Sequence, residues 1–336
     1  MSARAGLTPR VGWRMLGLFA ALATTPFWIE RVGLYQYLGV EILVWATFAM
    51  AFNLLLGYTG LPSFGHGAYF GVGAYAVGLA QHHLGAGLWL GLACAVLLAA
   101  VSGAAVAAFL SHRRGIYFAL MSIAFGQVFW FVAIKWHAVT GGEDGLLRIR
   151  RPPADLGLVA FDLTGNVALF YFVLVVFAVV TLGLGRLVRS PFGMVLQAIR
   201  QNEARAAFIG HDVWLHKWLA FTLSAALSGL SGGLFALVQM SAFPDVMSLH
   251  ASGNVVMMTL VGGGLVSFYG PLAGTVVYFL ARDVLGALTG TWMLWFGLLF
   301  MGVVLFKPEG LAGLFPGRVA AKAAPAPTLA SLLRRG

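Results

Sequence analysis

Five polar or ionisable side chains lie inside long hydrophobic stretches of the sequence: Asn53, Ser63, His66, Gln127 and Asn254. A polar group at membrane depth costs free energy unless it is paired, and such groups mark solute or ion pathways by default. The five residues are therefore candidates for a translocation pathway. A structural hydrogen bond inside the protein is the more ordinary explanation for each of them, and the sequence leaves both explanations open.

Other kinds of site chemistry have little support in the sequence. The eight histidines show no metal-ligand spacing, and the single cysteine, Cys94, lies in a hydrophobic run. No Gly-rich phosphate loop of the G-x-x-x-x-G-K-[ST] type is present, and no nucleophile, base and acid stand in a recognisable catalytic spacing. We expect a chain without metal, cofactor or catalysis of its own.

The hydrophobic runs determine the fold class. Apolar residues make up 60% of the 336 residues and charged residues only 10%. No Asp, Glu, Lys or Arg occurs in residues 42–112, 163–185, 218–244, 246–281 and 284–306. A spanning helix needs about 20 mostly apolar residues, and continuous runs do not fit the alternation of a β-barrel. The sequence predicts an all-α polytopic membrane protein with about 8–10 transmembrane helices, some of them broken or re-entrant.

The charged residues predict the topology. The net charge is +10, and the basic residues lie mainly between hydrophobic runs, which favours topology over nucleic-acid binding. The positive-inside rule predicts a cytoplasmic segment 1–14, a transmembrane domain 15–306 and a cytoplasmic, partly disordered tail 307–336. The loop 186–217 is then cytoplasmic and the loop 137–165 periplasmic, although the latter contains Arg148, Arg150 and Arg151. Glu41 falls in the outer half of its segment and is interpreted as an interface residue rather than a ligand.

Glycines predict two breaks and one close helix contact. Residues 57–67 and 261–271 are glycine-rich and contain proline, although they lie within uncharged runs. Unwound segments at this depth often line substrate cavities, and a plain turn between helices is the alternative. Small residues four apart also let helices pack closely. The glycines with predicted structural roles are Gly57, Gly60, Gly65, Gly229, Gly233 and Gly263.

The loop 186–217 contains a predicted amphipathic helix. Ser190 and Pro191 form a helix start, with serine as the N-cap and proline in the first turn. Met194, Val195 and Ile199 then fall on one face, with Arg200 pointing elsewhere. Such a helix between two spans either lies on the membrane surface or inserts into a partner's groove, and the pattern alone does not choose.

The same loop resembles the coupling motif of bacterial ABC importer permeases. The motif residues are Glu203, Ala204, Arg205, Ala207 and Gly210, with Arg205 standing where a second alanine is frequent. The stretches GYTGLPSFGHGAYFGVGAY (57–75), SPFGMVLQAIRQNEARAAFIG (190–210) and VGGGLVSFYGPLAGTVV (261–277) are similar to LivM-type permeases of the branched-chain amino acid transporter family. The resemblance extends over about residues 40–315, in the family's order.

The resemblance implies an ABC importer permease fold in the bacterial inner membrane. It implies that the motif residues couple to ATPases, and that branched-chain amino acids or a related small solute are translocated. The implied partners are a second, LivH-type permease, two ATP-binding subunits that hold ATP and magnesium, and a periplasmic binding protein. The alternatives are the same architecture importing urea, short amides or aromatic acids, and an ion-coupled secondary transporter.

Overall fold

The described part of the protein is mostly helical. Its structure is a computed structural model that describes residues 13–29, 31, 34–155, 160–307 and 309–314. Most of the predicted N-terminal segment and tail therefore lies outside the described residues. The helices of the described chain are α1 (Trp13–Ala23), α2 (Thr25–Trp28), α3 (Gln36–Asn53), α4 (Gly67–Leu84), α5 (Leu88–Leu110), α6 (Gly115–Lys135), α7 (His137–Thr140), α8 (Asn166–Leu187), α9 (Pro191–Gln201), α10 (Glu203–Phe208), α11 (Val213–Gln239), α12 (Leu249–Gly262), α13 (Gly270–Leu288) and α14 (Trp292–Phe306).

Six helices in the described part of the chain are long and apolar enough to cross a membrane. They are α3 with its π-helical extension to Thr59, α5, α6, α8, α11 and α13. Three shorter apolar helices accompany them, at Gly17–Phe27, Leu249–Gly262 and Trp292–Val303. Lipid offers no hydrogen bonds to the backbone, so each crossing segment satisfies its own. The predicted class, an all-α polytopic membrane protein, is confirmed.

Helix α11 lies at the centre of the bundle and packs through small residues. A Cβ atom at Gly229 would lie 2.7 Å from the Ala95 carbonyl of α5, and one at Gly232 would meet the Phe70 carbonyl of α4. Such close backbone approach gives the van der Waals contact that holds helices together in a membrane. At 27 residues, α11 is about 40 Å long. It therefore reaches both ends of the molecule.

One end of the bundle contains short strands, and we call it the strand end. Strand β1 (Leu146–Leu147) pairs antiparallel with β4 (Ser241–Ala242), and β2 (Ala154–Asp155) with β3 (Ala160–Phe161). Arg151 donates to the carbonyls of Leu237 (2.9 Å) and Val238 (2.6 Å) in the last turn of α11. A cation is favourable at a helix C-terminus. This arginine, which ran against the positive-inside rule, therefore has a local structural role.

The opposite end, which we call the loop end, contains α9 and α10. Lys217, in the second turn of α11, donates to the Arg113 carbonyl just before α6 and to the Glu203 carboxylate of α10. The loops 137–165 and 186–217 therefore lie at opposite ends of the bundle.

Both glycine-rich breaks are present. Helix α3 continues as a π-helix (Leu54–Thr59), and the chain then turns at Gly60 and stays non-helical until α4 begins. The second break separates α12 from α13 and starts at Gly263. Both Gly60 (φ 76°) and Gly263 (φ 84°) adopt the left-handed conformation that glycine tolerates. We call residues 57–67 the early break and residues 263–269 the late break.

Candidate functional site

Helix α9 begins as the sequence predicts. The Ser190 hydroxyl accepts a hydrogen bond from the Gly193 amide, and Pro191 occupies the first turn. Val195 and Ile199 are buried and pack with Ala206 of α10. Met194, expected on the same face, is 49% exposed. The two short helices thus form one small unit with its own apolar contact.

The predicted coupling residues form a surface at the loop end. Asn202 caps α10 by accepting a hydrogen bond from the Arg205 amide (2.9 Å). Ala204, Arg205, Ala207 and Gly210 are exposed. Gly210 has a φ of 91°, with no atom within 4 Å of a built Cβ. Glycine there is required by the backbone conformation rather than by close packing.

Two apolar side chains missed in the sequence stand next to these residues. Phe208 is 90% exposed and Ile209 66% exposed. Large adjacent apolar side chains on a polar surface are typical of a protein contact. A signal was available in the sequence, since both residues lie within the coupling motif, between Ala207 and Gly210. The amphipathic pattern of α9 does not extend to them and gave no indication that they face outward.

Glu203 differs from the rest of the motif because it is paired. Its carboxylate accepts from Lys217 Nζ at 3.1 Å, and the Lys217 side chain is fully buried. The same ammonium donates to the Arg113 carbonyl at 2.7 Å. This pair attaches α10 to α11 and to the turn before α6. From the sequence, Lys217 could be interpreted only as a basic residue that marks the cytoplasmic side. Its partner on α10 depends on the tertiary structure.

Arg200 reaches from α9 to both breaks. Its Nη1 donates to the carbonyl of Gly57, in the π-helix of α3, and to that of Leu265 (3.2 Å), in the late break. Burial lowers the pKa of the Arg200 guanidinium. A cavity of about 320 Å³ lies beside it, between Gly60, Arg114 and Glu203. At the level of sequence, Arg200 had no predicted role beyond the polar side of α9.

The early break is held by serine hydroxyls from three helices. Ser122 of α6 accepts from the Phe64 amide (3.0 Å), and Ser252 of α12 accepts from the Gly67 amide (2.9 Å). Ser224 of α11 lies 2.9 Å from His66 Nε2. These serines were not predicted as site residues, because a serine within a hydrophobic run gives no signal of which segment it will contact.

His66 is fully buried and its tautomer follows from its neighbour. The Ser224 hydroxyl donates its only proton to the Ala51 carbonyl (2.7 Å), so His66 Nε2 must donate to the Ser224 oxygen. His66 Nδ1 is then a buried acceptor, and it has no hydrogen-bond partner among the described residues. The Ser63 hydroxyl is also buried, with no partner in the same part of the chain.

The five pathway candidates do not converge on one point. Asn53 lies in the last turn of α3, with its Oδ1 next to Gly57 and Gly264 and without a hydrogen-bond partner among the described atoms. Ser63 and His66 belong to the early break. Asn254 on α12 faces Tyr278 of α13, and Gln127 is half-exposed on α6. Three of the candidates therefore lie in or beside the early break, and the role of all five in translocation stays a prediction.

The six predicted glycines lie where space or backbone conformation is restricted. A Cβ at Gly57 would lie 2.7 Å from the Gly264 carbonyl, and one at Gly65 would collide with the Ser122 carbonyl. Gly229 and Gly233 approach Ala95 of α5 in the same way. Gly60 and Gly263 have positive φ angles, as described above.

An ion pair at the strand end joins two helices far apart in sequence. Glu41 of α3 accepts from both terminal nitrogens of Arg282 of α13, at 3.1 and 3.0 Å, and Arg282 Nε lies 3.2 Å from Asp283. Glu41 is 8% exposed, so it is a buried partner rather than a solvated interface residue.

The comparisons with known proteins identify the family. Residues 35–307 match the model of the branched-chain amino acid transport system permease component. The chain belongs to this family of permeases. The match begins just before α3 and ends just after α14, so it includes both breaks and the helices α9 and α10. The chain is thus a multi-pass membrane protein of a transport family.

Individual relatives agree with the family match. The LivM permease proteins of the high-affinity branched-chain amino acid transport systems of Salmonella typhimurium and Escherichia coli are each 26% identical over 317 residues, which is 88% of this chain and 74% of those proteins. A probable LivH permease of Methanocaldococcus jannaschii is 24% identical over 283 residues, 79% of this chain and 87% of that protein. No solved structure matches the chain. The resemblance to LivM-type permeases is confirmed.

Proposed function

We propose that this chain is the membrane-spanning permease subunit of an ABC importer that carries branched-chain amino acids across a bacterial inner membrane. The observation that carries the proposal is the family match over residues 35–307. Its relatives are named for branched-chain amino acid transport. In this proposal the chain translocates solute and catalyses no reaction, while two partner subunits bind ATP and magnesium and hydrolyse the ATP.

The loop end is the proposed docking surface for an ATP-binding subunit. Phe208 and Ile209 project from a surface of smaller residues, beside exposed Arg205. An apolar pair of this kind fits a hydrophobic groove on a partner, as short amphipathic helices do in general. Glu203 holds this surface to the bundle through Lys217, so that a push on α10 acts on the transmembrane helices as well.

The distribution of charge supports the orientation. Arg113, Arg114, Arg186 and Arg189 lie at the loop end in addition to the residues of α9 and α10. Basic residues flanking transmembrane helices face the cytoplasm, so we place the loop end and both termini there. The strand end then faces the periplasm, where a binding protein delivers solute. Because the relatives include both LivM and LivH permeases, we propose a LivH-type partner in the membrane.

The test is reconstitution of the complete complex in proteoliposomes. We expect uptake of labelled leucine that requires ATP inside and the binding protein outside. Uptake that follows an ion gradient without the ATP-binding subunits would refute the proposal and establish an ion-coupled carrier. If urea, short amides or aromatic acids are taken up in an ATP-dependent way and leucine does not compete with them, the importer proposal stands but its solute is not a branched-chain amino acid.

The docking surface is tested by Phe208→Ser. We expect the variant to insert normally and to lose the ATP-binding subunits during affinity purification, because about 2 kcal/mol or more of apolar burial is removed from the contact. The matched control is Phe306→Ser, which changes a phenylalanine that is 82% exposed at the end of α14. Equal recovery of the ATP-binding subunits with the Phe208 variant and with wild type would exclude this surface.

A further inference from the structure

We propose that Arg200 is the positioning residue that transmits a displacement of the proposed coupling helices, α9 and α10, to both helix breaks inside the membrane. The inference rests on the proposed function, since it concerns how ATP-driven motion reaches the transmembrane helices. Its structural basis is one guanidinium nitrogen that donates to two carbonyls belonging to different segments.

The two carbonyls come from the places where the helical ladder is interrupted. Gly57 lies in the π-helix that ends α3, shortly before the left-handed Gly60. Leu265 lies in the late break, between α12 and α13. Carbonyls at helix ends lack intrahelical partners, and Gly57 is buried within the bundle. A charged donor is therefore well suited to this junction, because its hydrogen bonds are stronger than neutral ones and a cation is favourable at a helix C-terminus.

The surroundings make room for this side chain. A Cβ atom at Gly60 would lie 3.0 Å from Arg200 Cγ, so glycine at that position leaves space for the arginine stem. The two breaks also touch each other directly, since a Cβ at Gly57 would lie 2.7 Å from the Gly264 carbonyl. Arg200 thus enters a junction that is already closely packed.

The consequence is mechanical. Helix α9 cannot move away from the bundle without breaking both hydrogen bonds or moving Gly57 and Leu265 with it. The early break contains Ser63 and His66, and Asn53 lies beside Gly57 of the early break and Gly264 of the late break. A displacement of α9 is therefore applied to both sides of the region where three of the pathway candidates lie.

The experiment measures ATP hydrolysis and leucine uptake in parallel, with the complete complex in proteoliposomes. For Arg200→Met we expect hydrolysis within about twofold of wild type and a fall of about tenfold or more in leucine moved per ATP, as expected for losing a charge-assisted hydrogen bond. For Arg200→Lys we expect an intermediate fall of about threefold, because its amine ends one atom before the position of Nη1. The control is Arg186→Met, an exposed arginine at the end of α8, which should leave the ratio unchanged.

The outcomes separate the two proposals. If wild type shows ATP-driven uptake and Arg200→Met keeps the wild-type ratio, the role of Arg200 is refuted and the importer stands. If wild type takes up no leucine with ATP, the proposed function is refuted and the role of Arg200 with it. If Arg200→Met fails to assemble, Arg200→Lys provides the test. A wild-type ratio of leucine moved per ATP in that variant refutes the proposed role of Arg200.

Discussion

Replacing Glu203 by glutamine tests what holds α10 to the bundle. In the wild type the Lys217 ammonium is fully buried, 3.1 Å from the Glu203 carboxylate and 2.7 Å from the Arg113 carbonyl. The substitution keeps the size of the side chain and removes its charge. The ammonium then has only neutral acceptors. We expect α10 to detach from α11 more often, while the transmembrane helices stay folded.

The size of the effect follows from the geometry. At 3.1 Å and an effective dielectric constant of about 20, the attraction amounts to about 5 kcal/mol before desolvation is subtracted. Removing one partner of a fully buried pair costs about 3–5 kcal/mol. The Glu203 side chain is 28% exposed, so water screens part of the interaction, and we expect about 2 kcal/mol. This corresponds to an opening about 30-fold more frequent.

Hydrogen–deuterium exchange measures this opening directly. We expect the amides of residues 203–210 to exchange about 30-fold faster in Glu203→Gln. The exchange rates of α11 should stay unchanged beyond its first turns. The control is Arg205→Gln, which changes an exposed charge on the same helix and should alter exchange less than about twofold. Adding Lys217→Met to Glu203→Gln should restore slow exchange, because no buried charge is left unpaired. Unchanged exchange in the single variant, or no recovery in the double variant, would refute the reasoning.

Two further predictions concern packing and charge within the bundle. Gly65→Ala should lower the free energy of unfolding by about 1–3 kcal/mol, because its methyl group collides with the Ser122 carbonyl. Thermal unfolding of the purified permease measures this. The control Gly183→Ala, in the interior of α8 with nothing within 4 Å of its Cβ, should not lower the free energy of unfolding. Glu41→Gln should destabilise the protein by about 2 kcal/mol, because the Arg282 guanidinium loses its charged partner on α3 and keeps only Asp283. The additional substitution Arg282→Met should recover part of that loss, and additive losses in the double variant would contradict the prediction.

The helices could be predicted closely because the membrane imposes a strong pattern. The uncharged runs 163–185 and 218–244 correspond to the helices Asn166–Leu187 and Val213–Gln239. Each crossing segment must satisfy its own backbone and be apolar over its length, so a local signal suffices. The two breaks were also accessible, because glycine and proline are conspicuous in segments that are otherwise uniformly apolar.

The contacts of the charged residues could not be predicted in the same way. The sequence counts Arg200 and Lys217 as basic residues of a loop and Glu41 as a residue near the end of a span. Arg200 binds Gly57, which lies 143 positions away in the sequence. Lys217 binds Arg113 across 104 positions, and Glu41 binds Arg282 across 241 positions. Topology rules weigh charges by the side of the membrane on which they lie, whereas pairing depends on which helix ends meet in the folded bundle.

The three serines at the early break also determine how freely the helices can shift. Ser122, Ser224 and Ser252 hold one short segment from three different helices, α6, α11 and α12. A shift of any one of these helices relative to the segment stretches or breaks its hydrogen bond, whereas a common shift of all three leaves the hydrogen bonds intact. The three serines therefore favour a concerted motion of α6, α11 and α12 over independent ones.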